Sequence, residues 1–243
     1  MLGQIESGMR VVEVGCGTGW GVTLPLLRAG VDVAGVDLDE PSITAGQGIF
    51  SEHDAPPAAL RAVDLRDLDG RYDAVIASEL LEHLGDRELR EMLETIRVKL
   101  NPGGLLLVTT PNGYGWFELD AAVWRWARLD LLIERTRLAP ALRRLKQLVV
   151  SGATTSPVPN TLSSSPHVRR FTLSGLSRWL TAAGFEVTDA RGSVMCCGPL
   201  TELLCGGSRR VERANARLGR RFPRVSSGFY VAARAGDSAM PIT

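Results

Sequence analysis

The chain has 243 residues, 44% hydrophobic and 23% charged, with a formal net charge of +1. This length and balance exclude a disordered or fibrous chain and allow one large domain or two small ones, with a core that needs neither disulfides nor metal. No apolar run reaches the roughly 18–20 residues of a membrane span, the first ten residues lack the pattern of a secretion signal, and the four cysteines form neither a disulfide framework nor a CxxC metal pair, so a cytoplasmic location is expected.

The first 110 residues alternate short apolar runs with helical patterns, the signature of a parallel sheet wrapped by helices. Arg10–Val14 predicts a strand that ends at Gly15. A helix is expected from Trp20 to Ala29, stopped by Gly30. Val31–Val36 is the second strand, and Glu40–Pro41 opens the next helix, since proline suits a first turn. Ala62–Val63 belongs to a short third strand and Tyr72–Ala77 is the fourth. Asp86 opens the clearest helix, with Leu89, Leu93, Ile96 and Leu100 on one stripe. Asn101-Pro102-Gly103-Gly104 reads as a turn, followed by a buried fifth strand over Leu105–Thr110.

Residues 114–166 interrupt this alternation. Trp116 to Leu138 predicts a helix rich in tryptophan and arginine, Pro140 starts or kinks a second one to about Val150, and Ser151–Pro166 has the composition of a flexible loop. Thr172 is an N-cap candidate for a helix that Gly184 stops. Phe185–Thr188 is a strand, Leu200–Arg221 contains a basic helix, and Gly228–Ala233 is the last strand. Charge is divided unevenly: residues 1–122 carry nine basic and twenty acidic side chains, residues 123–243 nineteen and seven. Either the two halves attract each other, or the basic half meets an anionic partner.

The chemistry lies in Val11-Val12-Glu13-Val14-Gly15-Cys16-Gly17-Thr18-Gly19-Trp20. A strand feeds a glycine-rich turn whose backbone can approach a ligand closely. A dinucleotide site wants GxGxxG, but here bulky Trp20 stands where the third glycine belongs. Glu13 adds an acid, which disfavours a phosphate ligand and suits a cationic one.

At these residues the sequence resembles the class I S-adenosylmethionine-dependent methyltransferases, whose first motif is an acid followed by GxGxG, matched by Glu13, Gly15, Cys16, Gly17 and Gly19. The resemblance continues at Gly35-Val36-Asp37-Leu38-Asp39, where Asp37 would hold the ribose hydroxyls beside Leu38. Asp64-Leu65 matches the adenine segment, and Tyr72–Leu84, with Ser78 and Glu79 after the strand, matches the fourth strand and its loop. Tyr72–Leu84 is closest to the small-molecule branch typified by ubiquinone and menaquinone biosynthesis enzymes. Pro102–Leu105 and Phe171–Phe185 extend the match. The resemblance implies an α/β, Rossmann-like seven-stranded sheet with helices on both faces and a helical insert after the fifth strand. Within a single domain, residues 1–113 would form the cofactor-binding half, 114–166 the insert and 167–243 the remainder. The implied cofactor is S-adenosylmethionine, with S-adenosylhomocysteine as product.

The family usually places one or two helices before its first strand; here about ten residues precede it, so the cover is expected from 114–150. The alternatives for that segment are a helix packed on the sheet, a membrane-surface contact or a dimer contact. Methyl transfer is an in-line displacement, and a base is required only for an acceptor that must lose a proton. His83, beside Glu79 and Glu82, is a candidate base or else a helix N-terminal or loop-fixing contact, and His167, between loop and helix, is a candidate base or substrate ligand. Tyr114 and Trp116 could stack on a substrate or serve ordinary packing, and Arg169 could clamp an anionic group or simply be solvated. The expected acceptor is a small, anionic metabolite, with no nucleic acid, no membrane span and a homodimer as an option. An RNA- or protein-modifying enzyme using the basic half, or a non-catalytic cofactor-binding subunit, are the alternatives.

Overall fold

The computed structural model describes residues 2–126, 168–197 and 209–236. The elements expected over 127–166 fall outside these ranges. The chain divides into two compact units, Met1–Thr110 with Pro159–Ala190 and Tyr230–Thr243, and Pro111–Val158 with Arg191–Phe229.

Seven strands form one sheet: β1 (Arg10–Val14), β2 (Asp32–Asp37), β3 (Leu60–Ala62), β4 (Tyr72–Ser78), β5 (Leu100–Pro111), β6 (Phe185–Gly192) and β7 (Gly228–Ala235). Their order is β3-β2-β1-β4-β5-β7-β6. The β1 strand pairs parallel with both neighbours, Val12 lying opposite Ala34 on β2 and Val75 on β4. The strand order reverses beside β1, and open α/β sheets bind ligands at the carboxyl ends of strands at such a point. Val11, Val12 and Ala74 to Ala77 are all buried, so both faces of the central strands are covered. This is why β1 and β4 read as continuous apolar runs.

Helices α1 (Thr23–Arg28), α2 (Glu40–Glu52) and α3 (Asp86–Lys99) connect these strands. Val22 and Leu26 pack with Val11, Val33, Ala74 and Ile76. Leu24 meets Ile43, Phe50 and Leu60 in a second cluster. The predicted stripe of α3 is buried at Leu89, Leu93 and Ile96. Within 114–166, α4 (Trp116–Trp126) begins where expected; further on, α5 (Leu173–Ala182) is capped by Thr172, whose hydroxyl accepts from the Gly175 N–H at 3.0 Å, and α6 spans Arg209–Arg221. Among the described residues no helix is long and apolar enough to cross a membrane.

Three boundaries differ from expectation by three residues or more. The first helix starts at Thr23, not Trp20, because a side chain from β1 caps it there. The predicted turn at Asn101–Gly104 lies inside β5, where the register against β4 shifts between Tyr72 and Ala74 and Gly103 takes φ +70°. A glycine pair that suits a turn also suits a bulge. The β6 strand continues to Gly192, four residues past the predicted end.

One close approach fixes the layer beside the glycine-rich turn. A Cβ on Gly46, in α2, would stand 2.5 Å from the Thr18 carbonyl oxygen. Helix propensity alone would favour a larger residue by about 1 kcal/mol. The backbone clash outweighs it, so Gly46→Val is expected to lose about 1–3 kcal/mol, measured as a lower urea midpoint at unchanged slope.

Candidate functional site

The glycine-rich turn leaves the carboxyl end of β1 with Gly15, Gly17 and Gly19 at φ +67°, +52° and +67°. At Gly19 a side chain would also meet Leu60 at 2.7 Å and Phe50 at 3.0 Å. Asp37, at the end of β2, reaches across: one carboxylate oxygen accepts the Gly17 N–H at 2.7 Å and the other the Asp39 N–H at 2.9 Å. The Cys16 N–H donates to the Val36 carbonyl at 3.1 Å. Two neighbouring strand ends are thereby tied together around the turn. Burial pushes the Cys16 thiol well up, so it stays protonated.

Glu13 is buried on β1, and a single carboxylate oxygen accepts both the Thr23 N–H at 3.0 Å and the Thr23 hydroxyl at 2.5 Å. Burial raises its carboxyl to about 7, partly offset by the two bonds from Thr23, with the nearby Asp37 charge pushing the same way as burial. The start of α1 is therefore occupied by a carboxylate from within the chain. Sequence reasoning placed Glu13 among the cofactor contacts; the structure spends it on holding α1 against β1.

The loop after β4 carries the next group. The Ser78 hydroxyl lies 2.9 Å from that of Thr109, and the Glu79 N–H donates to the Thr109 carbonyl at 2.9 Å. Glu79 adopts φ +52°, an uncommon conformation for a side-chain-bearing residue. Burial first and the neighbouring Glu82 second lift its carboxyl to about 7, while Thr109 and His83 lower it. His83 ends a short 3-10 turn over Leu81–His83, its N–H bonded to the Leu80 carbonyl at 3.0 Å.

Glu82 is the residue that sequence reasoning treated only as a neighbour of His83. It is 2% exposed. Its Oε2 accepts the Thr110 hydroxyl at 3.0 Å, and its Oε1 is buried without a partner among the described residues. Its backbone carbonyl accepts two N–H groups, from Val168 and Arg169, each at 3.0 Å. The available signal was an acid set between leucines in the Leu80-Leu81-Glu82-His83-Leu84 run.

Arg169 does not present the free clamp expected of it. Its guanidinium pairs with Asp86 and lies over the rings of Phe171, at 5.5 Å, and Trp179, at 5.0 Å. It anchors the segment entering α5 to the start of α3. Asp64 is likewise engaged, its carboxylate bonded to the Arg66 backbone and guanidinium, which hold it below the usual carboxylate range. Leu65 is buried and Leu38 is 74% exposed, beside Asp37. Tyr114 and Trp116 belong to the second unit, where both are exposed and the Tyr114 N–H donates to the Asn112 side chain at 3.2 Å. His167 lies outside the described residues.

The first unit thus brings Glu13, Gly15, Cys16, Gly17, Gly19, Asp37, Ser78 and Glu79 to the carboxyl edges of three adjacent strands. These residues lie beside the switch point of the sheet, where open α/β folds bind their ligands. Residues 1–190 match the model of the family described as "Methyltransferase domain", and the chain belongs to that family. It is 34% identical over 112 residues to a ubiquinone biosynthesis O-methyltransferase of Azorhizobium caulinodans, a match covering 43% of this chain and 41% of that protein. A sphingolipid C9-methyltransferase of Candida albicans is 31% identical over 113 residues, covering 43% and 22%. The chain thus matches about two fifths or less of the length of these curated relatives. Among solved structures, the CcbJ methyltransferase of Streptomyces caelestis aligns with a TM-score of 0.58 at 19% identity, covering 97% of this chain and 86% of that one. The magnesium protoporphyrin IX methyltransferase of Synechocystis, solved with bound S-adenosylhomocysteine, gives 0.53 at 17%, covering 95% and 75%. These likenesses bear out the expected seven-stranded methyltransferase fold.

Proposed function

We propose that this chain transfers a methyl group from S-adenosylmethionine to an oxygen or nitrogen of a small metabolite. The observation that carries the reading is the carboxylate at the start of α1. A diphosphate needs free N–H donors at a helix start, whereas here Glu13 already takes the Thr23 N–H and hydroxyl. A cationic sulfonium cofactor suits a turn bounded by Glu13 and Asp37, and Gly15 and Gly17, half-buried at positive φ, leave their backbone within reach of its amino-acid portion. Asp37 would hold the ribose through the lone pairs that Gly17 and Asp39 leave over, and the Asp64–Leu65 segment would border the adenine. When bound, the cofactor supplies an activated methyl group.

The chain's task is then alignment, water exclusion and, for a hydroxyl acceptor, proton removal. Orientation alone contributes roughly 7–11 kcal/mol. His83 is the candidate base on the described loop, with Glu79 beside it as the carboxylate that orients the ring and takes up charge. The 114–166 insert, with Tyr114 and Trp116, is the proposed acceptor-binding element. The basic C-terminal half favours an acceptor bearing an anionic group.

Calorimetric titration separates the two cofactor classes. S-adenosylhomocysteine is expected to bind the isolated chain while NAD shows no heat of binding. Binding of NAD with none of S-adenosylhomocysteine would replace the proposal with a dinucleotide enzyme.

A further inference from the structure

The second unit carries an exposed helix face that includes none of the residues proposed to hold the cofactor or remove a proton. Helix α6 spans Arg209–Arg221, and its buried side is marked by Gly219, where a Cβ would stand 2.4 Å from the Ser193 carbonyl oxygen. Beside that packed side run Val211, Leu218 and Phe222, separated by seven and four residues and so on one stripe. All three, and Val225 just beyond the helix, are between 42% and 53% exposed. Arg210, Arg217 and Arg221 border the stripe at neighbouring helical positions and are exposed.

From this arrangement we infer that α6 is a docking face for an anionic lipid surface, with the arginines at the headgroup phosphates and Val211, Leu218 and Phe222 at the acyl boundary. Charge complementarity selects the occupant. Basic residues edging an aliphatic stripe on a helix that lies flat suit anionic lipid. A nucleic acid would use the arginines but gains nothing from exposed Val211 and Leu218. A second copy docked by the same face would set arginine against arginine.

Vesicle flotation of the full chain tests this, with phosphatidylcholine vesicles with and without phosphatidylglycerol. The chain is expected to float with the anionic vesicles and not with neutral ones, and less so as salt rises. The triple variant R210Q/R217Q/R221Q should weaken that binding roughly a hundredfold, since each basic residue near an anionic surface is worth a factor of about five. Leu218→Asp, at an exposed position that leaves the fold intact, should abolish binding at a salt concentration where the parent chain still floats. Binding indifferent to Leu218, or equal on neutral vesicles, overturns the inference. It is also overturned if the arginines are needed for RNA in a gel shift with no vesicle binding, or if Leu218→Asp converts a dimer to a monomer with no vesicle binding.

Discussion

Replacing Asp37 by alanine is expected to lower affinity for S-adenosylhomocysteine by at least tenfold in calorimetry. The carboxylate has two tasks at one place. It ties the Gly17 N–H to the end of β2 at 2.7 Å and its own strand end to Asp39 at 2.9 Å, and it is the acid proposed to take the ribose hydroxyls. A hydrogen bond to a charged group is worth about 1.5–3 kcal/mol, so losing one to the ligand alone gives the tenfold, and a loosened turn adds to it. Asp37→Asn should fall between the parent and the alanine variant, because an amide oxygen still accepts from Gly17 while the charge is gone. The melting temperature, read in parallel, separates the two tasks. Affinity unchanged by Asp37→Ala would remove Asp37 from the binding site.

Glu13→Gln is expected to stabilise the chain above neutral pH and to flatten its pH profile. A carboxyl raised from 4.5 to about 7 in the folded state keeps a proton that the unfolded chain has already released between those pH values. The folded form therefore binds more protons in that window, and its stability falls as pH rises through it. Glutamine offers Thr23 the same acceptor geometry without a buried charge. At pH 8 the gain should be about 1–3 kcal/mol, from roughly 1.4 kcal/mol for each tenfold displacement of an ionisation, read as a higher urea midpoint. Below pH 4.5 the parent and the variant should converge. Because Glu79 is lifted to a similar value, some slope should persist in the variant. An unchanged profile would mean that Glu13 is not the buried acid responsible.

How much of this was legible beforehand depended on whether the signal was local. The strands of the first unit were readable because β1 and β4 are buried on both faces and must be apolar throughout. Helix α3 and the Thr172 cap announced themselves by spacing and by a short hydroxyl side chain ahead of an apolar row. The start of α1 was not readable, because its cap is Glu13, ten residues earlier and on another element. Arg169 was misjudged for the same reason: the residues that occupy it include Asp86, far away in sequence. Glu82 showed its importance only when the fold brought Thr110 to its carboxyl and Val168 and Arg169 to its carbonyl. The Pro102-Gly103-Gly104 composition spoke correctly of a bent backbone, but composition does not distinguish a reversal from a bulge that lets a strand carry on.

The paired donation of Val168 and Arg169 into the Glu82 carbonyl has an evolutionary consequence. It fixes residues 168 and 169 to the loop after β4 through backbone atoms alone. Descendants could therefore exchange the side chain at 168 without loosening that attachment, provided the two amides and the Asp86 anchor survive.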